Sequence, residues 1–171
     1  VVASAGNASR PYIDNPARNS SAIGVGALTA SGLKAPYSNY GEGLSVSALG
    51  DNIYSTGWDA TNPANKYVVA SGSSFSAPQV TATATLIASK DPSLTPDQIK
   101  KRIMSSAKKI PIMGGYSYSL FVGYGKLDAY SALVYDNLPP TMNLIASSTG
   151  LGTLNISGTI TYPRRGFITK V

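Results

Sequence analysis

The sequence predicts an α/β fold, and three observations support this prediction. Its 171 residues are 43% apolar and 13% charged, with 17 Gly and 11 Pro. This composition suits a globular, loop-rich α/β or β protein and excludes a disordered chain. Short β-prone runs recur along the first 70 residues, and from about Ser74 to Ser89 the apolar residues follow helical spacing instead.

The first half of the chain carries the predicted strands. They fall, in chain order, at residues 1–7, where the strand leads into a turn, and at residues 22–28, 44–49, 53–56 and 66–70. A polar, irregular loop covers residues 8–21. The last two strands are interpreted as a hairpin-like pair, and the polar loop between them holds the only tryptophan, Trp58, for which we expect partial burial.

Helices are predicted in the second half. The helix from Ser74 to Ser89 is small or apolar nearly all round, which predicts a central helix that is buried. Residues Thr95–Gln98 form a capping box with proline at the first helical position, so a second helix begins there. Residues 110–125 are interpreted as a loop or hairpin, and Asp128 is expected to cap a short last helix, 129–135.

A pair of prolines marks a domain boundary. We assign residues 1–137 to the first domain and residues 138–141 to a linker, because consecutive prolines end helical structure and stiffen the chain. Residues 142–171 contain short alternating segments that predict the beginning of a β-sandwich-like domain. Since about 30 residues are too few to fold alone, a downstream portion is expected.

The serine cluster in Ser71–Val80 carries the candidate chemistry. It lies where a strand ends and a helix begins, near unpaired backbone N–H groups and the positive end of the helix dipole. That field suits a nucleophile whose reaction creates an oxyanion. Taken alone, the cluster also fits a serine that only caps the helix, which is the commoner role.

A resemblance to a known family decides between these alternatives. Residues Gly72–Pro78 resemble the Gly-Thr-Ser-x-x-x-Pro motif around the catalytic serine of subtilisin-like serine proteases, the subtilases. Further blocks follow the family's order over about residues 1–137, at Val1–Asn7, Ala22–Ala27, Tyr37–Gly41 and Gly123–Ala129. The resemblance implies a subtilisin-like parallel sheet flanked by helices. It also implies a serine endopeptidase with Ser74 as nucleophile and Asn7 in the oxyanion hole.

The resemblance further implies a substrate-binding cleft around the strand that ends in Asn7. The residues implied are Ala3, Ser4, Ala5, Gly6, Asp14 and Ser73. Asp14 would lie at the floor of the pocket for the side chain before the scissile bond, where a carboxylate pairs with Arg or Lys. The alternative is a turn role for Asp14 beside Asn15-Pro16.

A cation site is implied in the loop after this strand. Some subtilases bind a cation there through backbone carbonyls, which in this sequence would be those of Ala17, Asn19 and Ala22. The expected ion is a structural calcium or a monovalent cation. No cofactor is required for the chemistry itself.

The absence of histidine limits the catalytic argument. A subtilase triad combines the serine with an aspartate and a histidine that precede it, and this chain has no histidine. We therefore expect the N-terminal portion of the same protease to carry both, and the 171 residues alone to be inactive. The alternative is a catalytically inactive subtilase-like scaffold or surface-binding protein.

The net charge of +6 comes largely from Lys100–Arg102 and Lys108-Lys109. These residues fall on the polar side of a predicted helix without interleaved aromatic residues, so we expect a solvated face and not a nucleic-acid site. No apolar run reaches the roughly 18–20 residues of a membrane span. The expected partner is a protein or peptide substrate, and the resemblance implies a secreted or cell-surface protein.

Overall fold

The chain consists of two compact units, Val1–Leu133 and Val134–Val171. A computed structural model describes residues 1–58, 61, 66–134, 141–148 and 154–161. Most of the linker predicted at 138–141 lies outside these residues, so the division into 1–137 and 142–171 stays a prediction.

A three-stranded parallel sheet forms the centre of the first unit. Its strands are β1 (Val2–Ser4), β2 (Ile23–Leu28) and β3 (Leu44–Leu49), in the order β1-β2-β3. Strands β2 and β3 are almost entirely buried, as expected for small and apolar runs covered on both faces. The first strand runs into a turn, as predicted, and Gly6 leaves the extended conformation there with φ +104°.

The predicted hairpin is confirmed. Strands β4 (Ile53–Thr56) and β5 (Tyr67–Ala70) pair antiparallel and lead directly to the serine cluster. The expectation for Trp58 is wrong, because its side chain is 73% exposed. It lies two residues beyond the end of β4, in the connection between the two strands and outside the apolar clusters of the core.

Three helices flank the sheet: α1 (Ser73–Lys90), α2 (Pro96–Ser106) and α3 (Ala129–Val134). The predicted capping box is confirmed, since the Thr95 hydroxyl accepts from the Gln98 N–H and the Gln98 side chain accepts from the Thr95 N–H. The Asp128 cap is confirmed as well, because its carboxylate accepts the Ser131 N–H at 2.8 Å. Parallel strands with flanking helices confirm the predicted fold class.

Helix α1 is not buried all round, so that prediction is wrong. Its buried residues form one stripe towards the sheet: Ser73, Ser76, Val80, Thr83 and Ile87. The opposite face is exposed, and Leu86 on it is 51% accessible. Small residues are compatible with either environment, so their pattern does not distinguish a buried face from an exposed one.

The predicted solvated basic face is also wrong in part. Arg102 on α2 is only 6% exposed. Its guanidinium donates to the carbonyls of Ala132, at 2.6 Å, and Leu133, at 3.0 Å. These carbonyls belong to the C-terminal turn of α3, where backbone acceptors lack partners within the helix.

The second unit contains an antiparallel pair of strands, β6 (Thr141–Ser148) and β7 (Leu154–Thr161). Thr141 lies opposite Thr161, and Ser148 lies opposite Leu154. The pair contains the β-prone segments that the sequence predicts there, whereas a β-sandwich stays a prediction. Among the described residues, no helix combines the length and apolar character needed to cross a membrane.

Candidate active site

Ser74 stands exposed at the beginning of helix α1. The residue that caps this helix is Gly72, which offers no side chain, so the alternative of a capping serine is wrong. Ser73 and Ser76 are fully buried, and the Ser76 hydroxyl donates to the Ala48 carbonyl at 3.0 Å. In the described part of the chain, the Ser74 hydroxyl has no hydrogen-bond partner. Of these serines, Ser74 alone presents a free hydroxyl to solvent.

The side chain of Asn7 replaces the missing cap of α1. Its Oδ1 accepts the Ser73 N–H at 2.8 Å and the Ser73 hydroxyl at 2.8 Å. Both bonds use the oxygen, so they determine which way the amide nitrogen points. The Nδ2 group, with two N–H donors, is left without a partner among the described residues.

Gly72 lies between the two candidate groups. A Cβ atom built on Gly72 would lie 3.1 Å from Ser74 Oγ and 3.3 Å from Asn7 Nδ2. The hydroxyl and the amide therefore border the same small space, which stays open because residue 72 has no side chain. An oxyanion formed on a carbonyl carbon attacked by Ser74 needs a donor at that distance.

The N-terminus of α1 adds positive potential to this space. The Ser73 N–H is bonded to Asn7, and the Phe75 N–H donates to the Gly72 carbonyl at 3.0 Å. The Ser74 N–H makes no hydrogen bond to any described residue, and the first turn of α1 contains no acidic side chain. An unpaired N–H at a helix N-terminus favours a bound negative charge.

A cavity of about 850 Å³ opens beside Ser74. Four of the predicted substrate-binding residues line it: Ala3, Ser4, Gly6 and Asp14. The other side is formed by α1, including Ala77 and Pro78. A cleft between the end of β1 and the serine helix has room for an extended peptide segment.

Ala5 and Ser73 are not among the residues that line this cavity, and their substrate-binding role stays a prediction. Ala5 is fully buried, its N–H donates to the Val25 carbonyl at 2.8 Å, and its carbonyl accepts the Asp14 N–H at 2.9 Å. Ser73 is fully buried and holds Asn7. Both residues lie behind the cavity lining, because their hydrogen bonds join β1 to its neighbours.

Asp14 lies on the cavity side of the loop after β1. Its carboxylate Oδ2 accepts from the Asn39 amide at 3.2 Å, and its backbone carbonyl accepts the Arg18 N–H at 3.1 Å. The second bond closes a turn through the backbone, which any residue type could do, and the first leaves the carboxylate at the cavity. Asp14 is the one titratable group among the described residues that line it, so the chain supplies no histidine base here.

Two of the three carbonyls predicted to bind a cation already accept hydrogen bonds. The Ala22 carbonyl accepts from the Lys100 ammonium at 2.6 Å, and the Asn19 carbonyl accepts the Ala22 N–H at 2.9 Å. Lys100 also donates to the Ser20 carbonyl at 2.6 Å. Burial lowers the pKa of Lys100, and nearby Asp97 opposes this shift. While the ammonium is in place, the Ala22 carbonyl does not fit a metal ion, whereas the Ala17 carbonyl has no hydrogen-bond partner among the described residues. The cation site at Ala17, Asn19 and Ala22 stays a prediction.

Sequence reasoning missed Asn39 and Lys100. Asn39 lies in the block Tyr37–Gly41, whose residue types show only the resemblance to the family. Lys100 belongs to the basic run for which the sequence predicts a solvated face. Neither carries a local signal, because their partners lie at least 25 and 78 residues away in the chain.

Comparison with known proteins shows the family of this chain. The profile of the subtilase family matches residues 1–131. A thermostable alkaline protease of Halalkalibacterium halodurans is 38% identical over 107 residues, which are 63% of this chain and 28% of that protein. Subtilisin DY of Bacillus licheniformis is 38% identical over 114 residues, which are 64% of this chain and 40% of that protein. The chain thus spans less than half the length of these relatives.

Solved structures of proteases share the fold. A protease from Pseudoalteromonas arctica superposes with a TM-score of 0.68 and 28% identity, over 77% of this chain and 41% of that one. Fervidolysin from Fervidobacterium pennivorans, a keratinolytic enzyme related to subtilisin, superposes with a TM-score of 0.67 and 25% identity, over 95% of this chain and 29% of that one. With the family profile matched over most of its length, this chain belongs to the subtilase family of serine proteases.

Proposed function

We propose that the protein carrying this chain is a serine endopeptidase and that Ser74 is its nucleophile. The observation that carries the proposal is the space beside Gly72, which the free Ser74 hydroxyl and the Asn7 amide border together. A nucleophile and an oxyanion donor must meet at such a point.

The proposed reaction passes through an acyl-enzyme. Ser74 Oγ attacks the carbonyl carbon of the scissile peptide bond while a base takes its proton, and the carbonyl oxygen becomes an oxyanion. The C–N bond then breaks, and the same group returns a proton to the leaving amine. Water releases the acyl group in a second cycle. The Asn7 amide and the Ser74 N–H donate to the oxyanion in both cycles.

The base is proposed to come from another part of the same protease. This chain has no histidine, and it spans only 28% to 40% of the two relatives described above. The N-terminal portion of the protease would supply the histidine that accepts the Ser74 proton and the aspartate that orients it. On this proposal, residues 1–171 alone are inactive.

The proposed substrate is a protein or peptide bound in the cavity beside Ser74. Asp14 is the charged group of its lining, so an arginine or lysine before the scissile bond is the side chain that it would bind. A secreted or cell-surface location is proposed with this function. No part in catalysis is proposed for a metal ion.

Labelling with a fluorophosphonate tests the proposal on the full-length protein. Such a probe forms a covalent bond to an activated serine, so it should modify Ser74, and Ser74→Ala should abolish the labelling. Ser71→Ala is the matched control, because Ser71 is an exposed serine of the same cluster that precedes the helix. Labelling that survives in Ser74→Ala would refute the assignment. No labelling of the wild type would favour the inactive scaffold.

A further inference from the structure

Asn39 is a buried polar residue that no catalytic role explains. Its side chain is fully inaccessible, and a buried amide must find partners for both its oxygen and its nitrogen. The oxygen accepts the N–H groups of Ala8, at 2.9 Å, and Arg10, at 3.0 Å. The nitrogen donates to the Asp14 carboxylate at 3.2 Å. One side chain thus connects the loop after Asn7 to the carboxylate at the cavity.

The backbone of Asn39 extends this connection to the end of β1. Its N–H donates to the Gly6 carbonyl at 3.0 Å. A Cβ atom at Gly6 would collide with both Asp14 Oδ2 and Asn39 Nδ2. The side chains of Asp14 and Asn39 therefore fit against the backbone only because residue 6 is a glycine. Gly6 directly precedes Asn7, the proposed oxyanion donor.

The geometry points to Asn39 as a positioning residue for substrate specificity, an inference that rests on the proposed function. The amide holds Oδ2 of Asp14 and so orients the carboxylate at the cavity. Oδ1 of Asp14 has no hydrogen-bond partner among the described residues and remains to accept a cationic substrate group. A carboxylate that is already oriented loses less conformational freedom when it binds arginine.

Paired peptide substrates test the inference on the full-length protein. The two peptides differ only before the scissile bond, where one has arginine and the other has citrulline, its uncharged isostere. The readout is the ratio of the two kcat/KM values. Wild type should favour arginine by roughly 10–100-fold, as expected for hydrogen bonds to a charged group. Asp14→Asn should bring the ratio close to one.

Asn39→Ala should lower the ratio several-fold, on the order of 3–10-fold, because the carboxylate is no longer held. In the Asp14→Asn background the same substitution should leave the ratio unchanged, since Asn39 acts through Asp14. Asn39→Ser serves as the second variant if Asn39→Ala does not fold. Asn52→Gly is the control. Asn52 is an asparagine that directly precedes β4, and its φ of +54° suits glycine.

Each result decides a different point. A ratio that stays high in Asn39→Ala, while both kcat/KM values fall together, means that Asn39 only supports the fold and overturns the inference. An equal drop of the ratio in the Asp14→Asn background overturns it too. A wild-type ratio near one with efficient cleavage also overturns it but leaves the endopeptidase function standing. Failure to cleave either peptide, together with failure of Ser74 to react with the fluorophosphonate, refutes the proposed function itself.

Discussion

The hydroxyl of Ser73 should contribute to catalysis only by holding Asn7. It donates to Asn7 Oδ1 at 2.8 Å beside a second bond of 2.8 Å from the Ser73 N–H. Ser73→Ala removes the first bond and keeps the second. It also removes the acceptor of the Gly6 N–H, at 3.2 Å, a contact that does not involve the Asn7 amide. A neutral hydrogen bond contributes about 0.5–1.5 kcal/mol net, so kcat should fall by roughly 2–13-fold. Asn7→Ala removes the donor itself and should lower kcat by about 10²–10³-fold, with a smaller effect on KM.

A double-mutant cycle in the full-length protein measures this dependence. In the Asn7→Ala background, Ser73→Ala should have no further effect on kcat, because no amide is left to orient. Ser73→Thr is the matched control, since it retains the hydroxyl, and its kcat should stay close to that of wild type. Unchanged kcat in Asn7→Ala would remove the oxyanion role. A Ser73→Ala effect that persists without Asn7 would show that Ser73 acts through the fold.

Three further predictions concern stability. Lys100→Met should lower the melting temperature of the full-length protein by several degrees, because two carbonyls lose a charged donor and about 1–3 kcal/mol of stability is lost. Added potassium or calcium should partly restore the melting temperature. An unchanged melting temperature in Lys100→Met would refute the role of the ammonium. The Ser131 N–H depresses the pKa of Asp128. Asp128→Ala should therefore lower the free energy of unfolding, measured with urea, by about 1 kcal/mol above the ordinary aspartate pKa, and this loss should vanish as the pH falls through the depressed pKa. A loss that is the same at all pH values would contradict this. Residues 1–171 alone should show no cooperative calorimetric transition, because β1 is an edge strand of the described sheet. They should show no peptidase activity, because the chain has no histidine to take the Ser74 proton. Either observation would contradict the prediction.

Local patterns were sufficient wherever the stabilising contacts are local. The capping box of α2 and the Asp128 cap each join residues three positions apart, so the residue types alone predict them. Strands β2 and β3 were predictable because runs of small and apolar residues suit a sheet that is buried on both faces. The β4–β5 pair followed from two β-prone runs and a polar connection.

Contacts between distant segments were not predictable in this way. The exposed face of α1 consists of small residues that suit water or a core equally, so only the packing of the sheet decided its environment. Arg102 and Lys100 carry charges that usually face solvent, yet each lies beside carbonyls of another segment. Trp58 is the opposite case, an apolar side chain that lies in solvent. Its size favoured burial, but its position beyond the end of β4 leaves it exposed.

By itself, the sequence determined the residue types of the candidate site and the family to which the chain belongs. The sequence shows Ser74 at a strand–helix junction, two residues after Gly72, and it shows Asn7 directly after Gly6. Only the tertiary structure decided that the Asn7 oxygen caps α1, across 66 residues of chain, and that its nitrogen borders the space beside Ser74. The physical reason is that the orientation of an amide depends on its hydrogen-bond partners, and these come together only when the strands and helices have packed.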